Sequence, residues 1–241
     1  MNVPGAPTKT TRPTPRGTST TNNGEVFFIP CGKLTCPRCG PGLALRTVTA
    51  IVLAEPTHAG FVSMPSSKLI SDDDIEQAPK RLRTAMGRTA RDLNAAGLKW
   101  EHVSVVEISP AGRPHVHFLQ HGSAVSSKQL REALTRHGVG WAELAPIRRL
   151  PVIARYILKA PIGALDLDAE QAVEVLELHK ARNGGRLATA TTGFWRAPGR
   201  PEIHGARAAR AVAYKTWKGS RGFDAWDEPG STSRVAGRGM D

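Results

Sequence analysis

The segment from Trp100 to Leu119 constrains the fold of this chain more than any other. Residues 100–108, WEHVSVVEI, alternate in polarity and are rich in β-branched side chains, which predicts a strand. Residues 109–113, SPAGR, have the composition of a turn, and residues 114–119 predict a second strand. The two runs together predict a β-hairpin, and therefore an antiparallel sheet.

The hairpin carries a group of potential metal ligands. Because side chains alternate along a strand, His115 and His117 share one face, as does His121 if the strand reaches it. Folding the hairpin about the centre of its turn puts Glu107 opposite His115 and His102 on the other face. A His-x-His pair is also compatible with an ordinary solvated face. Two imidazoles and a matching carboxylate nevertheless favour a three-ligand divalent site with open positions.

Further helix and strand signals follow through the rest of the chain. Two further strands are predicted at 60–64 and 141–147. Helices are predicted from capping residues and apolar spacing. They begin near Ser71 with a stripe of Leu82, Met86, Ala90 and Leu93, at Ser126 with Gln129, and at Asp168 with Gln171. One more helix is predicted from Leu150 to Ala160, with Pro151 in its first turn.

The charge balance predicts a polyanionic partner. The 241 residues include 33 Lys and Arg against 21 Asp and Glu, a formal net charge of +12. Nucleic acid is the commonest partner of so basic a chain, although a basic protein without such a partner is the alternative. No apolar run reaches the ~20 residues of a membrane span, and the first residues lack the apolar core of a signal peptide. We therefore expect a cytoplasmic protein that does not bind membranes.

Three cysteines, Cys31, Cys36 and Cys39, fall within nine residues. An odd number of closely spaced cysteines does not suit a disulfide framework and is more typical of a metal site. A closed tetrahedral Zn²⁺ site needs a fourth ligand, for which His58 is a candidate. Structural zinc and reduced buried cysteines both remain open.

Two motifs in their chain order resemble the HUH endonucleases, a superfamily of rolling-circle replication initiators, conjugative relaxases and transposases. HVHFL, with Glu107 eight residues before its first histidine, resembles the His-hydrophobic-His motif. ARYILKA, residues 154–160, resembles the Tyr-x-x-Lys motif and supplies Tyr156 and Lys159. The tyrosine follows the histidines, as in replication initiators and single-tyrosine transposases. The cysteine cluster and the segment 184–196 further resemble the initiators of bacterial plasmids and phages.

The resemblance implies an α+β fold of the HUH endonuclease type, with a central antiparallel sheet flanked by helices, and a specific chemistry. Glu107, His115 and His117 would hold Mg²⁺ or Mn²⁺, and Tyr156 would attack single-stranded DNA at a replication origin. The products would be a 5′-phosphotyrosine and a 3′-hydroxyl that primes rolling-circle replication. Lys159, i+3 from Tyr156, would share a helix face with it and stabilise tyrosinate or contact phosphate, unless it is an ordinary solvated lysine.

The expected partners and organisation follow. No helicase phosphate-binding motif is present, so a host helicase and a polymerase are expected partners. We expect a disordered basic tail at 1–24, the cysteine cluster at 25–45, the endonuclease domain at 46–200 and a basic, mostly disordered tail at 201–241. Arg155, Arg196 and Trp195 are the predicted DNA-binding residues, the last by base stacking. A transposase of the same chemistry and a non-catalytic zinc-containing DNA-binding protein are the alternatives.

Overall fold

The predicted α+β architecture is confirmed at the level of fold class. The computed structural model describes residues 18–20, 26–28, 32–69, 71–123 and 125–196. Its main sheet has five antiparallel strands in the order β6-β3-β5-β4-β7, and β1 pairs with β2 separately. The strands are β1 (Thr18–Thr20), β2 (Val26–Phe28), β3 (His58–Ser63), β4 (Trp100–Ile108), β5 (Pro114–Gly122), β6 (Trp141–Pro146) and β7 (Thr189–Ala190).

Six helices flank the sheet within the described ranges. They are α1 (Cys39–Leu53), α2 (Asp72–Ala95), α3 (Ser127–Thr135), α4 (Leu150–Tyr156), α5 (Lys159–Gly163) and α6 (Ala169–Arg182). None of the helices in this part of the chain has both the length and the apolar character needed to cross a membrane.

The β4–β5 hairpin has the predicted register. Glu107 pairs with His115 and Val105 pairs with His117. The turn closes through the Ser109 amide, which donates to the carbonyl oxygen of Arg113 at 3.0 Å, and through Gly112, whose φ is +74°. A positive φ is readily reached by glycine, so this residue type permits the tight reversal.

Each face of the sheet has its own core. On one face, Val106, Val116 and Phe118 pack against α2 and α3, and the predicted stripe of α2 is buried there. On the other face, Val103, Val105 and Leu119 pack against α1 and α4. Glu107, His115 and His117, the predicted metal ligands, lie on this second face. They are an even number of residues away from Val105 and Leu119 on their own strands, so their side chains point the same way. The helices leave the hairpin end of that face partly open.

The predicted helix starts at three positions are confirmed. Ser71 and Ser126 each form a reciprocal capping box, with Asp74 and Gln129 respectively. Asp168 caps α6 by accepting hydrogen bonds from the amides of residues 170 and 171. These caps satisfy amide groups that have no partner inside the helix, which is why short local patterns identify them.

The single helix predicted from Leu150 to Ala160 is wrong, because the chain breaks between Tyr156 and Lys159. Leu158 has φ −114° and ψ 20°, outside the helical region. Pro161 explains the break, since it has no amide to bond the carbonyl of Ile157 and its ring clashes with that carbonyl in a continuous helix. Tyr156 therefore ends α4 and Lys159 begins α5.

The N-terminal boundaries also differ from the prediction. Thr18–Thr20 forms a strand, so the expected disorder through residue 24 is corrected for these three β-prone residues. Cys39 is buried as the first residue of α1, which makes the end of the predicted cysteine segment part of a core helix. Cys31 and the predicted tail at 201–241 lie outside the described residues.

Gly60 of β3 lies against the ring of Phe118, which packs toward α2 and α3, so a larger residue at this position reports how tightly this layer is packed. A Cβ at this position would overlap the ring of Phe118 and approach the carbonyl oxygen of Glu143 to 2.6 Å. We expect Gly60→Ala to lower the free energy of unfolding by about 1–3 kcal/mol, measured by denaturant titration.

The matched control for this substitution is Gly87→Ala. Gly87 lies exposed in the middle of α2, and a Cβ there would meet no atom within 4 Å. Alanine is the better helix former, so this variant should gain about 0.5–1 kcal/mol. Equal effects of the two substitutions would contradict the packing described for Gly60.

Candidate metal centre

Glu107, His115 and His117 form a group that can hold a metal ion. One ligand atom from each residue lies within 4.8 Å of the others. Oε2 of Glu107 is 3.7 Å from Nε2 of His115 and 3.6 Å from Nε2 of His117. Each side chain keeps about a seventh of its surface exposed, so the group opens to solvent on one side. Two nitrogens and one oxygen on a rigid hairpin fit a divalent cation with open positions.

The protonation states at the site also suit a cation. Burial alone would raise the pKa of the Glu107 carboxyl, but the nearby His115 imidazole and the hydrogen bond and charge of Lys159 outweigh it and lower the pKa to about 2. Burial lowers the pKa of the His117 imidazole to about 4, against the attraction of Glu107. At neutral pH the carboxylate is therefore ionised and the His117 ring is neutral, which are the states that bind metal.

The surrounding contacts orient both histidine rings. The Nδ1–H of His115 can donate to the Arg113 carbonyl oxygen at 3.1 Å, which leaves Nε2 facing Glu107. Such a second partner fixes the tautomer of a metal-binding histidine. The ring of Phe61, on β3, lies 5.1 Å from the His115 ring and 5.5 Å from the His117 ring. The sequence interpretation did not include Phe61, although its parity within β3 is the signal that identifies it.

Tyr156 and Lys159 lie at this group, despite the break between their helices. The Tyr156 ring centroid is 5.1 Å from that of His117 in an edge-on arrangement, and 46% of the residue is exposed. The Lys159 ammonium lies 4.1 Å from the Tyr156 ring centroid and donates a hydrogen bond to the Glu107 carboxylate. Lys159 is therefore not an ordinary solvated lysine, because it links the tyrosine to the ligand group.

The three predicted DNA-binding residues have different surroundings. Arg155 and Arg196 are exposed, and Arg155 directly precedes Tyr156 on α4. Trp195 is only 5% exposed and packs edge-on against Phe194 in the core beside α1. The prediction that Trp195 stacks on bases is therefore wrong, since its indole is part of the hydrophobic core.

The other potential ligands do not join the group. His121 shares the face but bonds the carbonyl oxygen of Phe194 at 2.9 Å. Among the described residues, Cys36 and Cys39 belong to no set of three ligands, and His58 bonds Thr57 instead. The structural zinc site stays a prediction, because Cys31 lies outside the described residues.

Comparison with protein-family models, with curated proteins and with solved structures gives no match. The site is therefore interpreted from its own geometry.

Removing the Lys159 charge should strengthen metal binding. The ammonium bonds the carboxylate that a metal would use, so it competes with a cation for Glu107. We expect Lys159→Met to bind Mn²⁺ several-fold more tightly than the native chain, measured by titration calorimetry.

Glu107→Gln is the control for this competition. It removes the negative charge that attracts both the Lys159 ammonium and the metal ion, so it should weaken Mn²⁺ binding more than tenfold. Weaker Mn²⁺ binding in Lys159→Met would contradict the competition.

His102 should make the fold sensitive to acid. It is buried on the α2 side of the sheet with its ring 4.8 Å from that of Trp100, and burial lowers its pKa to about 4. The unfolded chain takes up this proton near pH 6.5, so it binds more protons than the folded chain between about pH 6.5 and 4. Stability must therefore fall as the pH falls through this window, by up to about 3 kcal/mol from this residue.

Denaturant unfolding of the native chain and His102→Leu between about pH 7 and about pH 4 measures this contribution. The variant should lose less stability over the window. Parallel pH profiles would show that His102 does not carry the effect.

Proposed function

We propose that this protein is a metal-dependent endonuclease that cleaves single-stranded DNA by transesterification onto Tyr156. The observation that carries the proposal is the contact between the Tyr156 ring and His117, a member of the Glu107, His115 and His117 group. A half-exposed phenol beside an open cation site is an arrangement suited to attack on a metal-bound phosphodiester.

Glu107, His115 and His117 would hold the ion, for which Mg²⁺ or Mn²⁺ is proposed. A bound divalent ion would polarise the phosphodiester and offset the negative charge that builds in the transition state. The hairpin supports this role because β5, which carries both histidines, is paired with β3 and with β4 at those positions, which holds the two rings on a rigid backbone.

Tyr156 supplies the nucleophile in this proposal. Its hydroxyl oxygen bonds to phosphorus, the bond from phosphorus to the 3′ oxygen breaks, and a 5′-phosphotyrosine forms. The phenolic proton leaves to solvent, and the departing 3′ oxygen takes up a proton. A free phenol has a pKa near 10, so the tyrosinate needs help at neutral pH. The Lys159 ammonium, 4.1 Å from the ring centroid, can stabilise that negative charge.

The charge of the surrounding surface supports a polyanionic substrate. Arg113, Arg148, Arg149 and Arg155 are exposed on the β4–β5 turn and on the segment that leads into and forms α4. None of them pairs with a carboxylate in the part of the chain that the structure describes. Unpaired cations of this kind suit contacts with DNA phosphates.

Initiation of rolling-circle replication is the proposed biological role, with a host helicase and a polymerase as partners. The resemblance to plasmid and phage initiators supports this role over that of a transposase with the same chemistry. The 3′-hydroxyl released by cleavage is the group that a polymerase extends.

Replacing the nucleophile should abolish the covalent product. The native protein, incubated with a labelled single-stranded oligonucleotide library and Mn²⁺, should form an adduct that mass spectrometry locates on Tyr156. Tyr156→Phe should lose at least about a thousandfold in adduct formation, because it lacks the attacking oxygen. EDTA should have the same effect on the native protein.

Tyr214→Phe is the matched control, since Tyr214 is the other tyrosine of the chain. This variant should form the adduct at the native rate. An adduct that persists in Tyr156→Phe, or that survives EDTA, would contradict the proposed mechanism. The absence of any adduct from folded, metal-bound protein would favour the non-catalytic DNA-binding alternative.

A further inference from the structure

The strand registers align Trp141 with the metal-ligand residues across the sheet. Trp141 of β6 pairs with Ser63 of β3, Ser63 pairs with His115 of β5, and His115 pairs with Glu107 of β4. Directly opposite residues of antiparallel strands share a face. The Cβ of Trp141 therefore points to the same face as the ligand group. Because β6 is an edge strand, the indole also contacts Arg131 of α3, which packs on the opposite face.

Trp141 lies two strand steps from His115. Adjacent strands are about 4.8 Å apart, so two strand steps separate Trp141 from His115 by about 10 Å. The residue between them, Ser63, has a small side chain, and the neighbouring row holds Phe61 against the two histidine rings.

Trp141 is an exposed aromatic side chain that is held in place. The residue is 46% exposed, whereas Trp100 and Trp195, the other tryptophans among the described residues, are buried. The guanidinium of Arg131 lies 4.4 Å from the indole centroid, and its Nε donates to the Ala142 carbonyl oxygen at 2.7 Å. This cation–π contact covers part of the ring and restricts it, while about half of the residue stays open to solvent.

The cation that lies against Trp141 suits a nucleic-acid ligand. The guanidinium of Arg131 contacts the indole ring. Glu143 is the one carboxylate on this face of β6. An exposed aromatic ring beside a cation is a combination by which proteins hold single-stranded nucleic acid, where stacking binds the base and the cation binds a phosphate.

We propose that Trp141 stacks on a nucleobase of the single strand whose phosphate lies at the metal centre. This inference rests on the proposed function and adds to it a base-binding residue about 10 Å from the ligands. Stacking of this kind requires an unpaired base, since the bases of a duplex are already stacked on their neighbours. Trp141 therefore contributes to the preference for single strands over duplex DNA.

A comparison of normal and abasic DNA tests the stacking directly. The probes are a fluorescein-labelled oligothymidylate of about 12 nucleotides and an abasic strand of the same length and charge. Binding is measured by anisotropy in EDTA, where the proposed cleavage does not occur. Trp141→Ala should weaken binding of the oligothymidylate by about fivefold to a hundredfold, and leave binding of the abasic strand unchanged.

The salt dependence separates stacking from a charge effect. Because tryptophan carries no charge, Trp141→Ala should keep the slope of log affinity against log salt concentration. Trp141→Phe should recover most of the affinity for oligothymidylate, since it restores an aromatic face. Leu178→Ala is the matched surface control: Leu178 is 45% exposed on α6, and its truncation should change neither affinity.

Three outcomes would overturn the inference. The first is that Trp141→Ala binds the oligothymidylate as tightly as the native chain does. The second is that Trp141→Ala loses as much affinity for the abasic strand as for the oligothymidylate. The third is that Trp141→Ala changes the oligomeric state on size-exclusion chromatography, which would assign Trp141 to a protein interface. The experiment is independent of Tyr156. Trp141→Ala could weaken binding of the oligothymidylate alone while Tyr156→Phe still forms the covalent adduct. Those two results together would refute the proposed mechanism and support the stacking site.

Discussion

The pairing of Glu107 with His115 across the β4–β5 hairpin is the contact on which the candidate site depends. A slip of one residue would move every side chain of one strand to the opposite face and separate the carboxylate from the imidazoles. Two features hold the register. The turn closes on Ser109, which accepts at its hydroxyl from the Arg113 amide at 3.1 Å. The opposite face buries Val106 against Val116, which are paired in the same register.

The sheet separates stability from chemistry by using its two faces differently. The face toward α2 and α3 forms an apolar core that also contains buried polar residues such as His102 and Gln120. The other face is covered by α1 and α4 over only part of its length, and the ligands lie where that cover ends. Incomplete packing keeps Tyr156 and Trp141 accessible, while the strands beneath them stay fixed within the sheet.

Lys159 has two roles that follow from one position. Its ammonium neutralises Glu107 and also lies over the Tyr156 ring. The cation that stabilises the carboxylate in the structure is therefore the same group that can stabilise a tyrosinate. Both contacts form although the helix breaks between Tyr156 and Lys159. Binding of a cation at Glu107 would leave the ammonium available to the phenol or to a phosphate.

The sequence by itself determined the hairpin, the shared face of Glu107, His115 and His117, the helix caps and the buried stripe of α2, because these depend on alternation, turn composition and spacing within a few residues. Only the tertiary structure decided what distant elements bring together. It buried Trp195 in the core, packed Phe61 against the histidines, and aligned Trp141 with His115 through β3. The physical reason is that strand order and helix packing depend on contacts between residues far apart in the chain, which local periodicity does not encode.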